Sequence, residues 1–195
     1  MIITRSEPYI LFVHVPKTGG RALKIWINNE TDTTFINFFG HSTFEEIKTL
    51  TKRRLDLNKY FKFSLVRNPY DRAYSLYEYV KRQKIYEGSF ENFFKNEIHK
   101  LPNKMWGDTM TNYLKGGLDV VFKYEKYPEM ISFLKNKFGF NGDPNWANTN
   151  PENNVNEVQN FKYSEMYEQN KHWVPIINEV YKDDFENFDY KMLPW

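Results

Sequence analysis

Two hydrophobic rhythms alternate along the chain. Residues 9–15 (YILFVHV) are almost continuously apolar, which predicts a short strand covered on both faces. After a Lys-Thr-Gly-Gly turn the spacing changes: Ala22, Leu23, Ile25, Trp26 and Ile27 predict a helix to about Glu30. Residues 35–39 form a candidate second strand. The segment GHSTFEEI that follows has Ser42 and Glu45 at capping-box spacing, so a helix is expected from there to about Leu50. Residues 60–66 (YFKFSLV) predict a further strand. Asn68 as N-cap and Pro69 at the first helical position then open a helix to about Gln83.

Beyond residue 84 the chain is aromatic and irregular. A helix is expected from Ser89 to about Glu97, burying Phe90, Phe93 and Phe94, and residues 119–124 (DVVFKY) read as another strand. Pro128 opens a helix through Phe138. Residues 139–160, rich in Gly, Asn and Pro, predict a long loop, and two helices from about Ser164 and Val174 close the chain. The alternation of strand and helix predicts an α/β fold with a central, mostly parallel sheet flanked by helices. With 195 residues, a single domain is expected.

Charge and composition narrow the partners. Lys and Arg number 27 against 25 Asp and Glu, so no general field favours nucleic acid, and any anion site must be local. The chain has no cysteine, which removes disulfides and thiolate metal sites and suits a reducing compartment. No apolar run has the length of a membrane span, and the expectation is a soluble, cytoplasmic protein.

Two strand-to-helix junctions carry the candidate chemistry. In a parallel sheet, ligands gather beyond the carboxyl ends of the strands. At residues 16–22, Gly19 and Gly20 allow a close backbone approach, the helix start offers unpaired N–H groups, and Lys17 adds a full charge, together a cradle for a phosphate-like anion. The plain alternative is a turn with a solvated lysine. A Walker A loop ending at Thr18 would need glycine at positions 11 and 16, which hold Leu11 and Pro16. The second junction, residues 63–75 (FSLVRNPYDRAYS), offers Arg67 for bidentate anion binding and Ser75 two helical turns on. Its plain alternative is an ion pair between Arg67 and Asp71.

VPKTGG followed by LVRNPYDRAYS resembles the paired signature of sulfotransferases that use 3'-phosphoadenosine 5'-phosphosulfate (PAPS). The likeness is greatest to the carbohydrate branch that includes heparan-sulfate 2-O-sulfotransferases, and it continues through DVVFKYE (119–125) and VYKDDFENFDY (180–190). It implies a P-loop-NTPase-like sulfotransferase domain over residues 1–195. It also implies that Lys17, Thr18, Gly19, Gly20, Arg21 and Ala22 hold the 5'-phosphosulfate, with Arg67 and Ser75 on the 3'-phosphate. Arg21 stands where the family commonly has a hydroxyl residue, so its contact is assigned to the backbone.

Sulfuryl transfer needs an acceptor hydroxyl, a base for its proton and positive charge at the leaving phosphate, but no metal. Lys17 can supply the charge. His41 is the candidate base, since an imidazole titrates near neutrality and its segment resembles the family's Gly-His stretch; Glu45 and Glu46 are the alternatives. His14 reads as a core histidine, and His99 and His172 as surface positions. Trp106, Trp146 and Trp173 are candidate stacking platforms for adenine or sugar, Trp146 foremost. Lysines 81, 84, 95, 100 and 104 with Arg82 read either as a solvated face or as a lure for an acidic glycan. The function expected is transfer from PAPS to a hydroxyl of a carbohydrate, leaving adenosine 3',5'-bisphosphate (PAP). A nucleotide kinase with an atypical phosphate loop and an inactive PAP-binding module are the alternatives.

Overall fold

The structure is a computed structural model, and it describes residues 2–4, 6–31, 41–101, 106–144 and 163–194. The candidate strand at 35–39, Lys104 and Trp146 lie outside the described residues. The chain divides into two compact units, Met1–Val66 with Tyr113–Val158, and Arg67–Asn112 with Gln159–Trp195.

The first unit holds the sheet, in the order β1 (Ile2–Ile3), β2 (Ile10–Val13), β3 (Phe61–Val66), β4 (Val120–Lys123). β1 runs antiparallel to β2, while β2, β3 and β4 are parallel, with Phe12 opposite Phe63 and Leu65 opposite Phe122. Ile10 and Phe12 of β2 share a face with Phe63 and Leu65 of β3, because side chains alternate along a strand. That face is covered by Leu23, Trp26 and Ile27 of α1 (Gly20–Glu30) and by Met130 and Leu134 of α6 (Tyr127–Phe138). Leu11 and Val13, which point the other way, are buried too, as the unbroken apolar run required. Gly139 ends α6 at φ 72, a left-handed position that costs glycine nothing, and returns its N–H to Lys135 O at 2.8 Å.

α2 (Phe44–Thr51) begins one residue later than the expected cap. Thr43, not Ser42, is the N-cap: its hydroxyl accepts from Glu46 N at 3.2 Å, and the Glu46 carboxylate accepts from Thr43 N at 2.8 Å. The sequence S-T-F-E-E contains both registers. The one adopted buries Phe44 and Ile47 and leaves both glutamates exposed.

The second unit is helical and aromatic. α3 (Pro69–Arg82) is opened by Asn68, whose side chain accepts from Tyr70 N at 3.0 Å, with Pro69 at the first helical position as expected. The helix expected from Ser89 starts as α4 (Phe90–Asn92), widens into a π segment (Phe93–Glu97) and tightens over Ile98–Lys100. The wide turn keeps Phe90, Phe93, Phe94 and Ile98 all buried in one core with Tyr70, Leu76 and Phe185. α5 (Met110–Leu114), α7 (Tyr163–Gln169), α8 (Val174–Val180) and α9 (Lys182–Asn187) complete the elements.

A buried charge pair anchors this unit. Arg72 on α3 is fully buried, donates from Nη2 to Asp108 O at 2.7 Å and lies with its guanidinium carbon 5.2 Å from the Tyr181 ring centroid. Nη1 is 3.8 Å from the carboxylate of Asp184 on α9, also fully buried. Asp184 in turn accepts from Met110 N at 2.9 Å, Thr111 N at 2.8 Å and the Thr111 hydroxyl at 2.9 Å. It thereby caps the start of α5. Burial raises the Asp184 carboxyl above its ordinary value, while Arg72 and these hydrogen bonds pull the other way.

Candidate active site

In the first unit, the chain leaving β2 passes His14 and Val15 and turns through Pro16 to Gly19 before α1 begins at Gly20. Lys17 sits at φ 67 and Gly19 at φ 83. The left-handed region is costly for a residue with a Cβ, by roughly 1–2 kcal/mol, so Lys17 is held there by its surroundings. Thr18 is buried, and its hydroxyl donates to Val15 O at 2.8 Å, pinning the turn from inside. Gly19 gives α1 no side-chain cap, and no acidic residue stands in the first turn. The helix start thus keeps its positive end without a fixed counter-charge of its own. Arg21 is exposed and Ala22 buried.

Gly20 is required for a reason the sequence did not reveal. A Cβ there would come within 2.2 Å of His14 Cδ2 and 2.6 Å of His14 Nε2. The His14 ring lies against the α1 backbone, and its buried Nδ1 has no hydrogen-bond partner among the described residues. Burial, reinforced by nearby positive charge, holds His14 well below the ordinary histidine value, so it is neutral. His14 is therefore part of this site as well as of the packing beneath it. Its neighbour is His41, 27 positions on, with ring centroids 4.8 Å apart.

His41 Nδ1 lies 3.5 Å from His14 O. A carbonyl only accepts, so this contact favours the tautomer with the proton on Nδ1 and the lone pair on Nε2. Burial is the main cause of a His41 value lowered to about 4; the His14 carbonyl opposes the shift, and Lys24 and Lys17 add to it. Lys24 is itself lowered by burial and by Arg21. The two glutamates held as alternatives have other tasks. Glu46 closes the capping box, and Glu45 pairs with Lys48 at 2.6 Å.

In the second unit, Arg67 directly follows the last residue of β3, and its Nε donates to Asp71 at 2.5 Å. The ion pair expected as the plain alternative is thus present. Arg67, Asp71 and Ser75 fall at four-residue intervals, along one stripe of α3 and its approach. Ser75 is half-buried.

Other sequence candidates fall elsewhere. His172 and Trp173 both bond Glu91, at 2.5 and 2.9 Å, and Trp173 stacks on Phe90 with centroids 4.1 Å apart, which makes it part of the aromatic core. Trp106 packs edge-on to Tyr79. Among the described residues no group of three or more His, Asp or Glu converges, and no helix is long and apolar enough to cross a membrane.

A strand end, a left-handed lysine turn and a helix start with no side-chain cap thus meet in an α/β unit with a histidine pair beside them. The Sulfotransferase family model matches residues 1–191, and the chain belongs to that family. Its fold and its general chemistry, transfer of a sulfuryl group, follow from that membership. Neither curated proteins nor solved structures give a significant match to the chain.

Proposed function

We propose that this protein transfers the sulfuryl group of PAPS to a hydroxyl of a carbohydrate, with His41 as general base. The observation that carries the reading is the turn at Lys17. A lysine and a glycine in left-handed conformation lead into a helix whose first turn has neither a capping side chain nor a carboxylate. This donor set fits a phosphosulfate, and family membership makes PAPS its natural occupant. The residues assigned to the 5' end are Lys17, Thr18, Gly19, Gly20, Arg21 and Ala22. Since the Thr18 hydroxyl is engaged with Val15, Thr18 is assigned through its backbone N–H. Arg67, oriented by Asp71, and Ser75 are assigned to the 3'-phosphate.

When bound, PAPS supplies an activated sulfur and a phosphate leaving group. Lys17 and the α1 N-terminus place positive potential where negative charge grows. His41 is neutral at pH 7, so Nε2 can take the acceptor's hydroxyl proton while the acceptor oxygen bonds to sulfur. No residue of the chain is asked to become covalently modified.

Incubation with sulfate-labelled PAPS and a panel of oligosaccharides, in chelator and without Mg²⁺, tests the assignment. Label should appear in an acceptor with wild type and be lost in Lys17→Ala, and PAP should bind in calorimetry without metal. Absence of both heat and transfer, or transfer from ATP with Mg²⁺ instead, overturns it.

A further inference from the structure

His14 is half-buried, and the Nδ1 of its ring is buried with no hydrogen-bond partner among the described residues. The ring is held by aromatic neighbours. Phe12, two residues earlier and on the same side of the strand, stacks on His14 with centroids 5.8 Å apart and planes at 24°. Phe12 is itself fully buried and lies 5.1 Å from the Phe63 ring. His41 packs against the same His14 ring, with centroids 4.8 Å apart, and has its Nδ1 toward the His14 carbonyl.

We infer that His14 is a positioning residue for His41. Its ring transmits the rigidity of the Phe12–Phe63 core to the base, its carbonyl fixes the tautomer that leaves Nε2 for the acceptor, and Gly20 is glycine so that this ring can lie against α1. The inference rests on His41 being the base, and it adds a residue and a coupling that this assignment alone does not contain. It also gives Gly20 a second duty beside anion binding. Gly20 lies within the helix, so the lack of a Cβ where the His14 ring sits, not left-handed freedom, is what selects it. The charged groups facing the histidine pair among the described residues are Lys17 and Lys24, and both remain when the ring is removed.

The test compares wild type with His14→Ala, His14→Phe, Gly20→Ala, His41→Ala and the double variant His14→Ala/Gly20→Ala. Each is checked for fold by circular dichroism and for PAP affinity by calorimetry. Removing the His14 ring should lower kcat on the order of 10- to 100-fold with PAP affinity within about two-fold, as expected when a base loses its place. It should also move His41's titration, followed by NMR of its ring proton, up from about 4 toward the ordinary value of 6.5, because burial is what holds it down. His14→Phe, which restores a ring, should recover most of both effects. Gly20→Ala should lose rate alone but add little to His14→Ala, since both act by displacing the same ring.

A His41 titration unchanged in His14→Ala, or fully additive losses in the double variant, refutes the positioning role. The NMR readout needs no acceptor, so it separates this failure from failure of the broader reading. Undiminished turnover in His41→Ala removes His41 as base, and the positioning role falls with it.

Discussion

The burial of His41 makes a quantitative demand on stability. The unfolded chain offers its imidazole a proton near pH 6.5, whereas the fold holds it at about 4. The folded value is the depressed one, so between these limits the unfolded chain binds more protons and stability falls as the solution is acidified. Above pH 6.5 neither state is protonated and the term vanishes; below 4 both are, and the loss is complete. The gap of about 2.5 pH units, at about 1.4 kcal/mol each, amounts to about 3–4 kcal/mol. That is a large part of the 5–15 kcal/mol typical of a domain. Urea denaturation of wild type and His41→Gln at several pH values from 7.5 to 4 isolates it, since the carboxylates common to both cancel in the difference. The wild-type curve should fall by about 3–4 kcal/mol more than the variant's, with nearly all of the divergence between pH 6.5 and 4. Parallel curves would refute the buried-imidazole account, and divergence centred above pH 7 would reverse its sign.

Three further outcomes follow from contacts described above. Asp184→Ala leaves Arg72 buried without its carboxylate and uncaps α5, and should cost about 3–5 kcal/mol in chemical denaturation; a loss under 1 kcal/mol would contradict the network. Thr43→Ala removes the observed N-cap of α2 and should cost about 1 kcal/mol, visible as a lower urea midpoint at unchanged slope. Arg67→Lys keeps the charge but loses the planar fork, so PAP should bind roughly ten-fold more weakly by calorimetry; equal affinity would remove Arg67 from the 3'-phosphate assignment.

Local signals were legible where a residue type has one physical use. The unbroken apolar run before Pro16 gave β2, and Asn68-Pro69 and Gly139 marked helix ends where the structure has them. The cap of α2 was ambiguous because S-T-F-E-E satisfies the spacing twice, and only burial of Phe44 and Ile47 selects the register. The π turn at Phe93 answers to packing and not to propensity, so no pattern of residues announces it. His41 was visible as a histidine between a candidate strand and a helix. Its contact with His14 was not, since the two stand 27 residues apart and His14 looked like one more strand residue. Asp184, one of two adjacent acids in a polar stretch, gave no sign that it would be buried against an arginine 112 positions earlier.

The bond between Arg72 and Asp184 also bears on how the chain is made. During synthesis the arginine emerges long before its carboxylate, and α5 waits for a cap supplied 74 positions after its own first residue. Until Asp184 has been made, the second unit lacks the carboxylate that faces this guanidinium. A chain cut short ahead of Asp184 would keep the arginine's enclosure without its counter-charge and would lose the cap of α5 with it.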